Sequence, residues 1–214
     1  MKNNLLSDKL AYNGDTKTRT HLHLCSYTVD RVEEASGDDF GEMKSRFQPD
    51  GITWLQIHGL EDTDAVQAVC THFGVDFLVM QDILNTDHAS KVEEHDQYNV
   101  IIAKQIMGGE AMQVCLVQGL GFVLTFQERD NDFFDDVMRA IRNNVLKIRT
   151  RQSDYLFSVL LNGLITGYMS VAAAISDGLE ELESALLADT GDRDIGVQTV
   201  SYTHLRAHET RHDL

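Results

Sequence analysis

Residues 77–91, FLVMQDILNTDHASK, combine a short apolar helical pattern with a polar exit. Their apolar side chains recur at helical spacing, at Phe77, Met80, Ile83 and Leu84. This spacing predicts a helix with one face toward a core, and it places Asp82 off that face. A carboxylate in such a position is ordinarily a solvated helix residue. The sharper hypothesis is that Asp82 is a ligand for a divalent cation.

The composition limits the classes of partner that this hypothesis has to consider. The 214 residues include 34 Asp and Glu against 18 Lys and Arg, a formal net charge of −16. An acidic chain of this kind argues against nucleic acid as a partner, because a phosphate backbone requires a basic face. The three cysteines form no CxxC pair, which argues against a disulfide framework or a structural zinc site and favours a reducing cytosol. The first ten residues lack the apolar run of a secretory signal.

Apolar runs predict the strands of a sheet. They occupy residues 21–29, 52–58, 98–107, 111–118 and 121–127. Gly108–Gly109 and Gly119 lie in the short spacers between the last three runs, and spacers this short join antiparallel neighbours in a meander. The acidic residues 31–50 between the first two runs are predicted to form a loop.

Helical patterns account for most of the remaining chain. Asp62 or Thr63 is expected to cap a first helix, with Trp54 in the core beneath it. Residues 132–148 carry acids at their start and bases at their end, as the helix dipole prefers. Ser153 is expected to cap the longest helical pattern, which runs to about Ala188. A helix of that length would span roughly 50 Å and is expected to project from the domain.

The long helix leaves two interpretations open. Residues 155–175 contain no charged side chain, and a stretch of this length can span a membrane. They also include Gly163-x-x-x-Gly167, a small-residue motif that is common in membrane spans. Polar side chains interrupt the stretch, and no basic cluster follows it. We therefore favour a buried, closely packed helix of a soluble domain over a span.

Two groups of histidines have metal-like spacing. His21 and His23 form an HxH pair on one strand face, but no third ligand is near in sequence, so an exposed strand face is favoured. His204, His208 and His212 recur four apart within residues 197–214. That segment is unlike the preceding helix and is interpreted as a non-native tail, outside the fold.

Five segments together resemble the cytoplasmic domain of the CorA family of magnesium and cobalt transport proteins. They are ITWLQIHGL (52–60), FGVDFLVMQDILN (73–85), KVEEHDQYNVIIAK (91–104), GFVLTFQERD (121–130) and IRNNVLKIRTRQSDYLFSVLLNGL (141–164). The resemblance covers about residues 20–190 in the same order. It includes a zinc-transporting branch of the same architecture.

The resemblance implies a fold and an assembly. The fold is of the α/β (α+β) class: an α/β/α sandwich with a mixed, largely antiparallel sheet and a long helical arm. Its parts would be a flexible N-terminus (1–19), an α/β cytoplasmic domain (20–150) and the arm (151–190). Family members are homopentamers at the cytoplasmic face of the inner membrane, where Mg²⁺ bound between subunits closes the pore. Co²⁺ or Zn²⁺ are the other ions implied, and no catalytic residue is expected.

The resemblance also assigns residues. Asp82 matches the family's regulatory aspartate, and Asp177 or Glu180 on the arm matches a further acidic ligand. Matches to structural motif positions are Trp54, Asn85, Lys91, Glu93, Tyr98, Asp154 and Tyr155. Gln81 stands where the family has a glutamate, which puts a second, carboxylate-rich site in doubt. The family's R-P-K-V-E motif is here ASKVE, residues 89–93.

The sequence does not contain the family's two membrane spans or its Gly-Met-Asn motif. We therefore expect the chain to be a fragment that is soluble alone. It would reach the membrane only through those missing helices.

Two other functions stay open at this stage. One is a soluble metal-dependent enzyme using Asp82 with Glu93 or Glu94, although no nucleotide loop, nucleophile elbow or HExxH motif supports it. The other is an acidic interaction module that binds no specific ion.

Overall fold

The computed structural model describes residues 9–188 of the chain. In chain order the elements are β1 (His21–Tyr27), β2 (Val32–Gly37), α1 (Phe40–Lys44), β3 (Ile52–His58), α2 (Thr63–His72), α3 (Phe77–Ile83), β4 (Lys91–Glu94), β5 (Tyr98–Met107), β6 (Glu110–Gly119), β7 (Phe122–Gln127), α4 (Asp135–Arg142), a 3₁₀ segment (Val145–Thr150) and α5 (Ser153–Ala188). The chain divides into two compact units, Met1–Gly167 and Tyr168–Leu214, and α5 contributes to both. The tail interpreted as non-native, with its three histidines, lies outside the described residues.

Within the described part of the chain, the strands form one seven-stranded sheet in the order β2-β1-β3-β7-β6-β5-β4. All neighbours are antiparallel except β3 and β7, which run parallel. Gly108 and Gly109 have φ angles of +58° and +84°, the backbone that a two-residue hairpin between β5 and β6 requires. The predicted mixed, largely antiparallel sheet is confirmed.

Each face of the sheet carries its own core, so the α/β/α arrangement is confirmed. Along β1, Leu22 and Leu24 belong to a core shared with α2 and α3, while Cys25 and Tyr27 belong to a core shared with α4 and the start of α5. Neighbouring side chains of a strand point to opposite faces, which explains this division. Full burial of one such leucine stabilises the fold by about 1.5–3 kcal/mol.

Four local predictions are wrong. Residues 31–50 are not a continuous loop, because they form β2 and α1. The helix predicted over 132–148 ends at Arg142, and positive φ angles at Asn144 and Leu146 turn the chain into the 3₁₀ segment. Trp54 packs against Phe134, on the face opposite α2. The Ser153 hydroxyl donates to the Gly119 carbonyl instead of capping α5.

Helix α5 confirms the predicted long C-terminal helix. Its stretch Ser153–Leu186 is long and apolar enough to cross a membrane by length and composition, and core helices of soluble proteins share those properties. Only 17% of its most apolar window is buried. The apolar side chains of α5 that are fully buried, within the described residues, are Leu156, Leu160 and Leu164. The prediction of a buried, closely packed helix over residues 155–175 is therefore wrong in part, because none of the described side chains of α5 after Leu164 is buried.

Candidate functional site

Asp82 lies in the last turn of α3, where core packing fixes the backbone. Val79, Met80 and Ile83 of the same helix are buried against the sheet. The Gln113 side chain of β6 donates to the backbone carbonyl of Ile83, at 3.0 Å, which ties the end of the helix to the sheet. The Asp82 side chain is 20% exposed. The buried side chains of α3 and the bond from Gln113 therefore hold the Asp82 carboxylate at the protein surface.

The structure brings Asp82 together with two other predicted residues, Lys91 and Glu93 on strand β4. Lys91 Nζ donates to Asp82 Oδ2 at 2.6 Å and to Glu93 Oε1 at 2.8 Å. His88 Nε2 lies 3.3 Å from Asp82 Oδ1. We call these four residues the Asp82 cluster. Sequence reasoning considered Glu93 beside Asp82 only for the alternative enzyme function, and it did not foresee the contact of Lys91 with both carboxylates.

Charge in the Asp82 cluster is only partly balanced. Burial alone would lower the pKa of Lys91, but its hydrogen bonds to Asp82 and Glu93 outweigh that effect and raise it. The hydrogen bond from Lys91 lowers the pKa of Glu93. Two carboxylates then face one ammonium group, and a net negative charge of about one remains at neutral pH. The cluster can attract a cation, but any cation competes with Lys91 for Asp82.

Tyr98 lies beside this cluster and supports its flank. Its hydroxyl donates to Asp76 Oδ2 at 2.7 Å, and its ring stacks on His95 with the ring centres 4.5 Å apart. His95 Nε2 lies 3.5 Å from Glu93 Oε2. Burial, with the hydrogen bond to Asp76, raises the pKa of Tyr98 to about 12. Tyr98 therefore acts here as a neutral hydrogen-bond donor.

Asn85 is held by the segment before β1. Asn13 Nδ2 donates to Asn85 Oδ1 at 2.6 Å, and the backbone N–H of Thr86 donates to Asn13 Oδ1 at 2.7 Å. The backbone N–H of Asn13 also donates to the Leu84 carbonyl, at 3.2 Å. These bonds fix the chain where it leaves α3, directly after Asp82.

The remaining predicted residues are not members of the Asp82 cluster. Trp54 is fully buried, and its indole N–H donates to Thr125 Oγ1 at 3.3 Å. Asp154 opens α5, where its carboxylate accepts from the Tyr155 backbone N–H at 2.7 Å. Asp177 and Glu180 are exposed residues of the second unit. Their assignment as cation ligands stays a prediction.

A second group of polar side chains was missed by sequence reasoning. Among the described residues, His23, His58 and Asp130 place possible metal-ligating atoms within 4.8 Å of one another. We call them the His58 cluster. The HxH pair was the signal, but one member, His21, instead contacts Asp38, at 2.6 Å. The third ligand comes from distant sequence, since His58 and Asp130 are 72 positions apart.

Comparisons with known proteins agree on one family. A family model described as "CorA-like Mg2+ transporter protein" matches residues 49–211. The cobalt/magnesium transport protein CorA of Thermotoga maritima is 31% identical over 192 residues, which cover 87% of this chain and 55% of that protein. The chain thus spans about half the length of this curated relative.

Two solved structures are similar in fold. Full-length CmaX aligns with a TM-score of 0.65 at 10% identity, covering 92% of this chain and 61% of that one. The soluble domain of CorA from Methanocaldococcus jannaschii aligns with a TM-score of 0.56 at 19% identity, covering 77% of this chain and 64% of that one. Identities this low bear on the fold alone. The extent of the family-model match carries the assignment: the chain belongs to the CorA-like Mg²⁺ transporter protein family, a family of transporters and not of enzymes.

Proposed function

We propose that this chain is the cytoplasmic, cation-sensing region of a CorA-like transporter of Mg²⁺ and Co²⁺. In this proposal divalent cations bound between subunits at Asp82 hold a homopentamer closed, at the cytoplasmic face of the inner membrane. Family membership supports the transport role. The observation that carries the sensing role is the half-buried Asp82 carboxylate, which keeps part of its surface open beside a second carboxylate.

The chemistry of the Asp82 cluster suits a weak site for a hard cation. Mg²⁺ takes oxygen ligands, keeps several of its waters and is commonly held by one or two carboxylates. Here Lys91 already donates to both Asp82 and Glu93, so an arriving cation gains less than it would from free carboxylates. Such a site releases its ion as the concentration falls, which a sensor requires.

A cation between subunits also needs a ligand from the neighbouring chain. Asp177 and Glu180 are the acids proposed for that role, and both are exposed. The formal net charge of −16 makes identical subunits repel one another, and a divalent ion screens that repulsion. Loss of the ion then favours the loosened state, because the ion binds the closed state more tightly.

A different divalent cation is the alternative ligand of this site. Zn²⁺, as in the zinc-transporting branch of this architecture, is the alternative to Mg²⁺ and Co²⁺. It prefers nitrogen and sulfur donors, whereas the Asp82 cluster offers mainly carboxylate oxygens. The donor set therefore favours Mg²⁺ at Asp82.

Limited proteolysis of the complete transporter that carries this region tests the proposal. We expect millimolar Mg²⁺ to protect the region, and Asp82→Asn to raise the Mg²⁺ concentration needed by about tenfold, since one charged ligand is lost. The matched control is Asp87→Asn, which removes the same charge from an exposed residue five positions away. The sensing role is wrong if both variants are protected like the unmodified protein.

A further inference from the structure

The His58 cluster is built where three strands end on one side of the sheet. His21 of β1 pairs in register with His58 of β3, and His23 follows two residues along β1 on the same face. On the other side of β3, the parallel strand β7 brings Gln127 into register with His58. Asp130 follows three residues after Gln127 and therefore reaches His58 from the loop. The two imidazoles are neighbours, with ring centres 5.0 Å apart.

Each imidazole of the cluster uses one ring nitrogen, Nδ1, in a hydrogen bond. His58 Nδ1 contacts Asp130 Oδ1 at 2.6 Å, and His23 Nδ1 contacts Ser36 Oγ at 2.9 Å. Among the described residues neither Nε2 atom has a hydrogen-bond partner, although both are buried and His23 Nε2 lies 3.9 Å from Asp130 Oδ1. His58 is only 3% exposed, so its free Nε2 cannot be compensated by bulk water. A buried polar atom without a partner is costly and calls for a ligand.

The surroundings of the two rings suit metal binding. Asp130 Oδ1 lies 2.6 Å from His58 Nδ1 and 3.9 Å from His23 Nε2, so this carboxylate is within reach of both rings. The Ser36 hydroxyl contacts the other nitrogen of His23, Nδ1, at 2.9 Å, and metal-bound histidines typically use their second nitrogen in this way, which orients the ring.

There is room for an ion at this position. His23, His58 and Asp130 line a cavity of about 160 Å³, together with Asp135. A water molecule takes about 30 Å³ of liquid volume, so the cavity has space for an ion and its remaining water ligands. Asp130 is largely exposed and can turn toward the cavity without breaking core packing.

We propose that His23, His58 and Asp130 form a second cation site, selective for a borderline transition-metal ion such as Zn²⁺ or Co²⁺ over Mg²⁺. Two imidazole nitrogens with a carboxylate are a donor set for Zn²⁺, Co²⁺ or Ni²⁺, whereas Mg²⁺ prefers oxygen ligands alone. The site is separate from the Asp82 cluster and does not depend on it. The same chain would then distinguish two classes of divalent ion at two places.

Metal titration of the full chain tests this site. The background protein carries His204→Gln, His208→Gln and His212→Gln, so that the tail cannot bind the probe. Titration calorimetry with Zn²⁺, and the visible absorption of bound Co²⁺, are expected to show one ion per chain. His58→Gln and His23→Gln should each weaken Zn²⁺ binding at least tenfold, since even changes beside metal ligands cost about 10–100-fold.

His21→Gln is the matched control, because it removes a histidine from the same strand face outside the cluster. It should leave Zn²⁺ affinity within about twofold, as should Asp82→Asn. His58 is buried, so circular dichroism first establishes that its variant is folded. If it is not, the half-buried His23 and the exposed Asp130, as Asp130→Asn, carry the test. The proposal is overturned if the folded variants bind Zn²⁺ like the background protein, or if His21→Gln weakens binding equally.

Discussion

The Asp82 cluster and the His58 cluster differ in both their ligands and their supports. The Asp82 cluster pairs carboxylates with an ammonium group, on a seven-residue helix and an edge strand of four residues. The His58 cluster presents imidazole nitrogens from strands inside the sheet, and His58 itself is buried. Short peripheral elements open more readily than central strands. The peripheral elements around Asp82 therefore suit a site that releases its ion readily, whereas the central strands around His58 suit a site that retains its ion.

The largest effect is expected from a substitution that weakens the core packing of α3, the helix that carries Asp82. Ile83→Ala removes a fully buried side chain beside Asp82 and should cost about 2–5 kcal/mol of unfolding free energy, through lost burial and the cavity left behind. Denaturant unfolding measures the cost. Leu78→Ala, on the same helix but 60% exposed, is the control and should change stability by about 0.5 kcal/mol or less. Equal costs would mean that core packing does not fix α3.

Hydrogen exchange on the Ile83→Ala protein separates the two supports. Amides of α3 and β4 should exchange faster relative to the rest of the sheet, because local opening becomes easier there. Amides of β1 and β3 should follow only the loss of global stability. Uniform acceleration in all four elements would show that both clusters rest on one cooperative unit.

An effect of intermediate size is expected when Lys91, which belongs to the Asp82 cluster alone, is replaced. Lys91→Met removes the donor to Asp82 and Glu93, so the affinity for Mg²⁺ should rise roughly tenfold, about 1.4 kcal/mol. Competition with Mn²⁺, followed by its effect on water relaxation, measures this change. Lys44→Met removes the same charge from an exposed helix position and is the control. Unchanged affinity in Lys91→Met would show that Lys91 does not compete with the ion.

The smallest effect is expected at an ion pair near the His58 cluster. Arg142 donates to Glu34 through Nε at 2.7 Å and Nη2 at 2.6 Å. The pair is partly exposed, so Glu34→Gln should cost about 0.2–1 kcal/mol at neutral pH, with Arg142→Gln completing a double-mutant cycle. A coupling energy above about 2 kcal/mol between Glu34 and Arg142 would show that the pair is far better shielded from solvent than its exposure indicates.

The same pair has a predictable pH dependence. The hydrogen bond from Arg142 lowers the pKa of Glu34 below its ordinary value of 4.5. The stabilisation is therefore complete above that ordinary value and is lost as the pH falls through the lower, folded-state pKa. Unfolding experiments from pH 7 to pH 3 should show the difference between Glu34→Gln and the unmodified chain shrinking with acidity. A difference that grows toward low pH would contradict the assignment.

Local sequence patterns predicted most of the sheet but not how its parts meet. The runs at 52–58 and 98–107 match β3 and β5, because apolar residues and glycine turns are local signals. Strand β2, VEEASG, lacks apolar alternation and is a strand only because it pairs with β1. The resemblance led to Asp82. His58 and Asp130 meet through the parallel pairing of β3 with β7, which no local pattern encodes.

Strand β4 has a further consequence for how the protein behaves in a crowded solution. It ends the sheet that residues 9–188 form, and within that range one side of its backbone has no strand partner. An open sheet edge invites pairing with another chain. Its sequence is KVEE, with three charged side chains in four residues, and Val92 is its single apolar one. Like charges on two such edges repel each other. The charges that arrange the surroundings of Asp82 therefore also protect the protein from edge-to-edge aggregation.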